Sequence, residues 1–380
     1  MKRMDADVAV VGLGAWGSAA LWRLAVRGVE VIGIERFHPG NPFGSSHGRT
    51  RMFRTACLEH PGLVPLAQQS LALWEELAEA SGADLVAATG GVLIGPRKGH
   101  IVAGTLAAAS AYQLPITVWD APELRRRLPQ HAELSYHHCG VWDPRARLLR
   151  PELAITAAVR MAEAHGARVF SGTRVMDIKS TADGAVVRTA TRDLHVRQVV
   201  VATGAWLSTL VPKMPLRVIR MPQTWFRPTE PSSRFELAAL PVFLRELDDG
   251  SCVFGHGAEA DGELKLGMED PGGRFEQVDP DSCDRSVRPA DWDRLGRRLA
   301  TAVPGMSPVP SRVAICFVTR TPDNQFLLGR PRHDPRWVVA GGCNGHGFKH
   351  ATGVGEAVAD LVVGKDPQVP IDFMNPDRFE

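Results

Sequence analysis

The sequence predicts an α/β protein, α+β overall, in which a Rossmann-like domain is interleaved with an antiparallel-sheet domain. Three observations lead there. The chain opens on a strand, a glycine-rich turn, a helix and a second strand within about 30 residues, the length of a parallel β–α–β unit. Helices and apolar strands of the same kind return in the middle and near the C-terminal end. Beyond Pro212 the texture changes to closely spaced strands of alternating polarity. Because the two textures alternate, two discontinuous domains are expected, one from 1–83, 147–213 and 317–380, the other from 84–146 and 214–316.

In order, residues 7–12 read as a short apolar strand, 16–27 as a helix rich in Ala and Leu, and 29–34 as a second strand running into Glu35. A loop of Gly, Pro and Ser follows from 38 to 47. Residues 63–81 then give a clear amphipathic helix. The stretch 85–143 is mixed, with 90–93 strand-like and 122–128 helical. A helix over 151–165 leads to strands at 168–171 and 175–178, then to a hairpin pair at 185–189 and 194–202. Strands are predicted at 218–226, 242–247, 252–255, 263–267, 313–318 and 337–340, and helices at 291–302 and 354–363.

Hydrophobic residues make up 44% of 380, enough for a sizeable core, and 44 Lys and Arg nearly balance 42 Asp and Glu. That balance favours neither nucleic acid nor an anionic membrane, which select clustered basic surfaces. Arg125, Arg126 and Arg127 lie in helix-like context beside acidic residues and read as a solvated face. No apolar run approaches the roughly 18–20 residues of a bilayer span. The apolar run at 8–11 breaks at once on Gly12, so a cytoplasmic location is expected. Six scattered cysteines without a CxxC pair read as free thiols. His137, His138 and Cys139 are adjacent, but no second cluster completes a four-ligand site and strand neighbours face opposite ways, so no metal is expected.

Gly12-Leu13-Gly14-Ala15-Trp16-Gly17 follows a strand and opens a helix. Gly12 suits the tight turn, Gly14 lets the backbone approach a pyrophosphate, and Gly17 permits close helix–strand packing. Glu35 stands near the spacing of about 20 residues expected of a carboxylate that binds a ribose hydroxyl. The motif alone does not separate NAD, NADP and FAD. Glu35 argues against the 2′-phosphate of NADP, and Arg36 beside it weakens that point.

Three further segments carry a resemblance: Gly44-Ser45-Ser46-His47-Gly48-Arg49-Thr50-Arg51 through Arg54, Cys316 through Asp323, and Gly342-Cys343-Asn344-Gly345-His346-Gly347-Phe348-Lys349 with Gly353 and Gly355-Glu356. With the glycine turn they resemble, from Asp7 to about Leu361, the monomeric sarcosine oxidase and N-methyltryptophan oxidase family of D-amino-acid-oxidase-like flavoproteins. The resemblance implies that the first domain binds FAD and the second binds substrate. It implies covalent FAD attachment through Cys316, a substrate carboxylate held by Arg54 and Lys349, and Lys265 promoting reaction with molecular oxygen. His47 and Arg51 match residues beside the flavin ring, with Ser45 and Ser46 in the same cofactor loop. His346 and Gly347, with Gly345, match the turn at the flavin pyrimidine edge. Val175, Gly204 and Trp206 match the remaining adenine and pyrophosphate contacts.

The implied reaction is oxidation of a small secondary amine, an N-methyl amino acid of the sarcosine kind, by hydride transfer to flavin. Oxygen then gives hydrogen peroxide and the imine hydrolyses. Oxidation of a cyclic imino acid is the alternative, and a non-catalytic flavin-binding subunit a further one. A monomer is expected. Phe254 stands where sarcosine oxidase has tyrosine, Glu269 where it has histidine, and Val318 where it has an aromatic residue. These three are the expected pocket departures and leave the substrate open.

Overall fold

The computed structural model describes residues 4–131, 134–269 and 276–379. Two eight-stranded sheets and one small three-stranded sheet carry the chain. The first large sheet begins at the strand Ala6–Val11, flanked in parallel by Val31–Ile34 and by Asp193–Val201. Trp337–Gly341 extends it in parallel beyond Asp193–Val201, and the hairpin strands Val175–Thr181 and Gly184–Thr189 add antiparallel pairings. Strands of a parallel sheet are covered on both faces and so read as continuous Val and Ile runs. Ala6–Val11, Val31–Ile34 and Trp337–Gly341 follow that rule, with nearly every residue buried.

The helices Ala15–Val26 and Ala351–Val362 pack against one face of this sheet. Gly355 is required there, because a Cβ would stand 2.6 Å from the Ala19 carbonyl carbon. The amphipathic helix Leu63–Ser81 lies against Ala351–Val362 and ends on Gly82 at φ 64°, as a left-handed C-cap.

The second large sheet is mostly antiparallel and contains Arg217–Phe226, Leu264–Glu269, Cys252–His256, Val242–Glu246 and Arg312–Arg320. Val242–Glu246 pairs in parallel with Gly91–Pro96. Arg312–Arg320 lies wholly in this sheet, so the domain boundary expected at 316/317 falls inside a strand. The region 85–143, read as mixed, holds Gly91–Pro96, the helix His100–Ala111 and the strand His138–Asp143. The helix expected over 291–302 is a short 3-10 turn followed by the α-helix Asp293–Ala302. Among the described residues no helix is long and apolar enough to cross a membrane.

Arg125, Arg126 and Arg127 are all exposed, the latter two paired with Glu123 and the first donating to the Leu134 carbonyl. The side chains of His137 and His138 both approach Asp248, at 3.8 and 3.1 Å. The turn at Asp248 thus supplies a third ligand-type group that the local sequence does not reveal.

Candidate active site

A cavity of about 910 Å3 lies between the two large sheets, near the upper end of the volumes small-molecule sites occupy. Ala15, Ala202 and Gly204 come to it from the first sheet's turns, and Cys316, Phe254 and Lys265 from the second sheet. The glycine turn forms as the spacing predicts. Gly12 has φ 87°, and a Cβ there would stand 2.8 Å from the Ala202 carbonyl oxygen. A Cβ on Gly17 would stand 1.7 Å from the Gly12 oxygen, so the helix can approach the strand only on glycine.

Glu35 is buried and ties this turn to the neighbouring strand, accepting from the Leu13 N–H at 2.8 Å and the Phe37 N–H at 3.0 Å. Arg36 pairs with Asp281 at 2.5 Å, and Asp281 also accepts from Trp206 Nε1 at 2.8 Å and Arg174 at 3.1 Å. Val175 starts its strand beside a register shift against Thr189. Among the described residues the cavity lining includes none of Glu35, Arg36, Val175 and Trp206. The structure groups Arg36, Trp206 and Asp281 in a separate cluster.

The Ser45–Arg51 loop folds over Cys316. Arg51 Nη2 donates to the Ser45 carbonyl at 2.9 Å and reaches Cys316 Sγ at 3.9 Å. Cys316 Sγ lies 3.4 Å from the Ser45 oxygen. Burial pushes this thiol's pKa up, against the pull of Arg51 and Lys265. Lys265 Nζ donates to the Gly48 carbonyl at 2.7 Å and the Thr50 carbonyl at 3.0 Å. It sits 5.1 Å from the Trp225 ring centroid. Burial, reinforced by Arg51, drives its pKa well below the usual lysine value. His47 is held at about 4 by burial and then by Arg51, and its Nε2 has no hydrogen-bond partner among the described residues.

At the other end of the cavity Arg54 and Lys349 converge. Both are buried, and both bind Glu59. Arg54 Nη2 donates to Glu59 Oε1, and Lys349 Nζ lies 3.3 Å from each Glu59 oxygen. Against the cost of burial, Arg54 and Lys349 hold the Glu59 carboxyl well below its ordinary pKa. His346 stands 3.9 Å from the same carboxylate, and burial lowers its pKa to about 4. Trp16 Nε1 donates to the Gly347 carbonyl at 2.9 Å, which fastens the Gly345–Gly347 turn to the first helix. Phe254, Glu269 and Val318 all line the cavity. Glu59 escapes the sequence reading, as do Gln223, which donates to the His47 carbonyl, and His256, bonded to Thr50. Each lies far from its partners or in an unpatterned loop, and no local signal marks it.

The model of FAD-dependent oxidoreductases matches residues 7–361. The chain belongs to this family. Within it, the chain is similar to monomeric sarcosine oxidase from Streptomyces avermitilis, 33% identical with 98% of this chain and 97% of that one covered. It is also similar to N-methyl-L-tryptophan oxidase from Citrobacter koseri, 29% identical over 99% of this chain and all of the other. Among solved structures, a tyrosine-to-phenylalanine variant of NikD, an unusual amino acid oxidase essential for nikkomycin biosynthesis, superposes with a TM-score of 0.84. It is 25% identical, with 98% of each chain covered. The chain is thus an FAD-dependent amine oxidoreductase with a Rossmann-type nucleotide fold.

The residues present fit FAD. Cβ atoms on Gly14 and Gly204 would meet nothing within 4 Å, which leaves the backbone open to a bound pyrophosphate. The first turn of the helix Ala15–Val26 has no side-chain cap, so its N–H groups remain available to an anion. Among the described residues, His47 Nε2 and His346 Nδ1 are buried polar atoms without a hydrogen-bond partner.

Proposed function

We propose that this enzyme oxidises a small secondary amino acid, an N-methyl amino acid of the sarcosine type. One observation carries the reading: the cavity brings a buried cation pair, Arg54 and Lys349, within the same enclosure as Cys316 and Lys265. The first pair suits a carboxylate, and the second suits a flavin and its oxygen chemistry.

Bound FAD would supply a two-electron acceptor for hydride from the substrate carbon, with oxygen as the final acceptor and hydrogen peroxide as product. We assign the segments 1–83, 147–213 and 321–380 to its binding and 84–146 and 214–320 to the substrate, with the last boundary placed after the strand Arg312–Arg320. Gly12, Gly14 and Gly17 hold the pyrophosphate end, with Glu35, Arg36, Val175, Gly204 and Trp206 toward the adenosine. Ser45, Ser46, His47, Arg51, Gly345, His346 and Gly347 surround the ring, and Cys316 anchors it covalently.

Arg54 and Lys349 exchange Glu59 for the substrate carboxylate, which orients the N–CH group. Lys265 is fixed by two backbone carbonyls, and in its protonated form it would favour charge developing on oxygen. The substrate nitrogen reacts as the neutral amine and no protein base is assigned. The imine product adds water and releases formaldehyde in the sarcosine case. The enzyme acts as a monomer in the cytoplasm.

Anaerobic mixing with sarcosine, larger N-methyl amino acids, proline, pipecolate and primary amino acids tests this directly. Bleaching of the visible flavin band by the N-methyl compounds is expected. Bleaching by proline and pipecolate alone would transfer the assignment to cyclic imino acids. A yellow band that stays with the chain after denaturation is the expected sign of the Cys316 link.

A further inference from the structure

The cavity carries a second carboxylate that the proposed chemistry does not use. Glu269 ends the strand Leu264–Glu269, in register with Cys252 on the next strand. It lines the cavity with Val318 and Phe254. Its Oε1 lies 3.7 Å from the position a Cβ on Gly345 would take, and Val318 Cγ1 lies 3.9 Å from that position. The carboxylate thus overhangs the Gly345 turn with an apolar wall beside it.

The Glu269 side chain is accessible to solvent and lines the cavity. Burial raises its pKa, Arg320 and Arg54 oppose that rise, and Glu59 adds to it. Arg54 is itself committed to Glu59. The resident cations therefore leave Glu269 undercompensated, and an incoming positive group would correct this.

The reacting nitrogen is a poor candidate for that group. Hydride departs from a carbon beside a neutral amine, and a carboxylate bonded to the nitrogen would keep its proton in place. A different cation on the substrate has no such conflict. The enclosure then offers complementary ends: cations at Arg54 and Lys349 for a carboxylate, and an anion at Glu269. Phe254, Val318, Leu244 and Met268 can cover methylene groups.

We propose that Glu269 binds a second, non-reacting cationic group, so that the substrate is an amino acid with a secondary α-amine and an ammonium or guanidinium on its side chain. This rests on the amine-oxidation reading and narrows its substrate class.

The test is equilibrium binding to the FAD-loaded protein, read by the shift of the flavin spectrum. Butanoate, pentanoate and hexanoate are compared with their ω-amino counterparts. At least one ω-amino acid should bind about tenfold tighter than its plain carboxylate. Glu269→Gln and Glu269→His should each abolish that preference, and a folded flavin spectrum in either variant keeps the comparison valid. No ω-amino acid preferred in the wild type, or a preference that survives both substitutions, overturns the proposal. The same protein is then mixed anaerobically with Nα-methyl-lysine and Nα-methyl-norleucine. Faster bleaching by the former is expected. Equal bleaching by both overturns the cation site and leaves amine oxidation standing. A Glu269-dependent binding preference with no bleaching by either supports the cation site and overturns the oxidation reading instead.

Discussion

The glycine turn and the cation end of the same cavity are built in opposite ways. At Gly12–Gly17 the chain is packed against itself, backbone on backbone, and its key contacts come from residues a few positions apart or on the adjacent strand. At Arg54, Glu59 and Lys349 the chain is assembled from a loop and a distant turn, and charge holds it together. The first region is a rigid cradle with no room for a Cβ at Gly12 or Gly17. The second is a set of exchangeable ion pairs, in which one internal anion stands where an external one is to bind.

The sharpest way to break this contrast is Gly17→Ala. Its Cβ would collide with the Gly12 oxygen, and the overpacking should cost about 3 kcal/mol or more. Loss of bound flavin together with a lowered denaturant midpoint is the expected result. Unchanged flavin content would show that the turn yields more readily than its packing suggests.

Acid reaches the histidines of both large sheets. His47, His256 and His346 are depressed to about 4 from 6.5, mainly by burial. A folded pKa below the unfolded one means that the unfolded chain binds more protons between those values. Stability should therefore be full above about pH 6.5 and fall as pH drops toward 4, by up to about 3 kcal/mol for each histidine. Denaturant titrations from pH 7 to pH 4 check the slope. A flat profile would mean that these rings take up protons as readily in the folded state as in the unfolded one.

Lys265→Met should slow flavin reoxidation by oxygen about 100-fold, the scale on which a single preorganised electrostatic group acts. Anaerobic reduction by substrate should change much less. Stopped-flow measurement of the two half-reactions separates them. The smallest expected effect is at the exchangeable end. Arg54→Ala should lower kcat/KM about tenfold to 100-fold, mainly through KM, since a hydrogen bond to a charged group is worth ~1.5–3 kcal/mol. A loss confined to kcat would show that Arg54 acts on the transition state and not on the bound carboxylate.

The same contrast decides what could be read from sequence. Gly12, Gly14 and Gly17 announce themselves because the constraint is local and falls on backbone. The helix Leu63–Ser81 is found with the expected bounds because its buried Leu66, Leu73 and Leu77 recur at helical spacing. The helix His100–Ala111 goes unread because alanine serves both its buried side, at Ala108 and Ala109, and its exposed side, at Ala103 and Ala107. Arg54, Lys349, Lys265 and Cys316 are legible only through family resemblance, since no spacing links them. Glu59 has neither signal: it is a single acid in an irregular loop, and its meaning comes from two cations delivered by the fold. Asp248 is hidden from His137 and His138 for the same reason.

The topology of the first sheet bears on how the protein is made. Ala6–Val11 is synthesised before its partner Asp193–Val201, and Trp337–Gly341 and the helix Ala351–Val362 follow later still. Contacts so distant in sequence form slowly, because the intervening chain must be ordered before they repay it. The nascent glycine turn therefore waits, incomplete, until those later segments are made. Exposure of an unpaired strand edge during that interval is a consequence of the strand order itself.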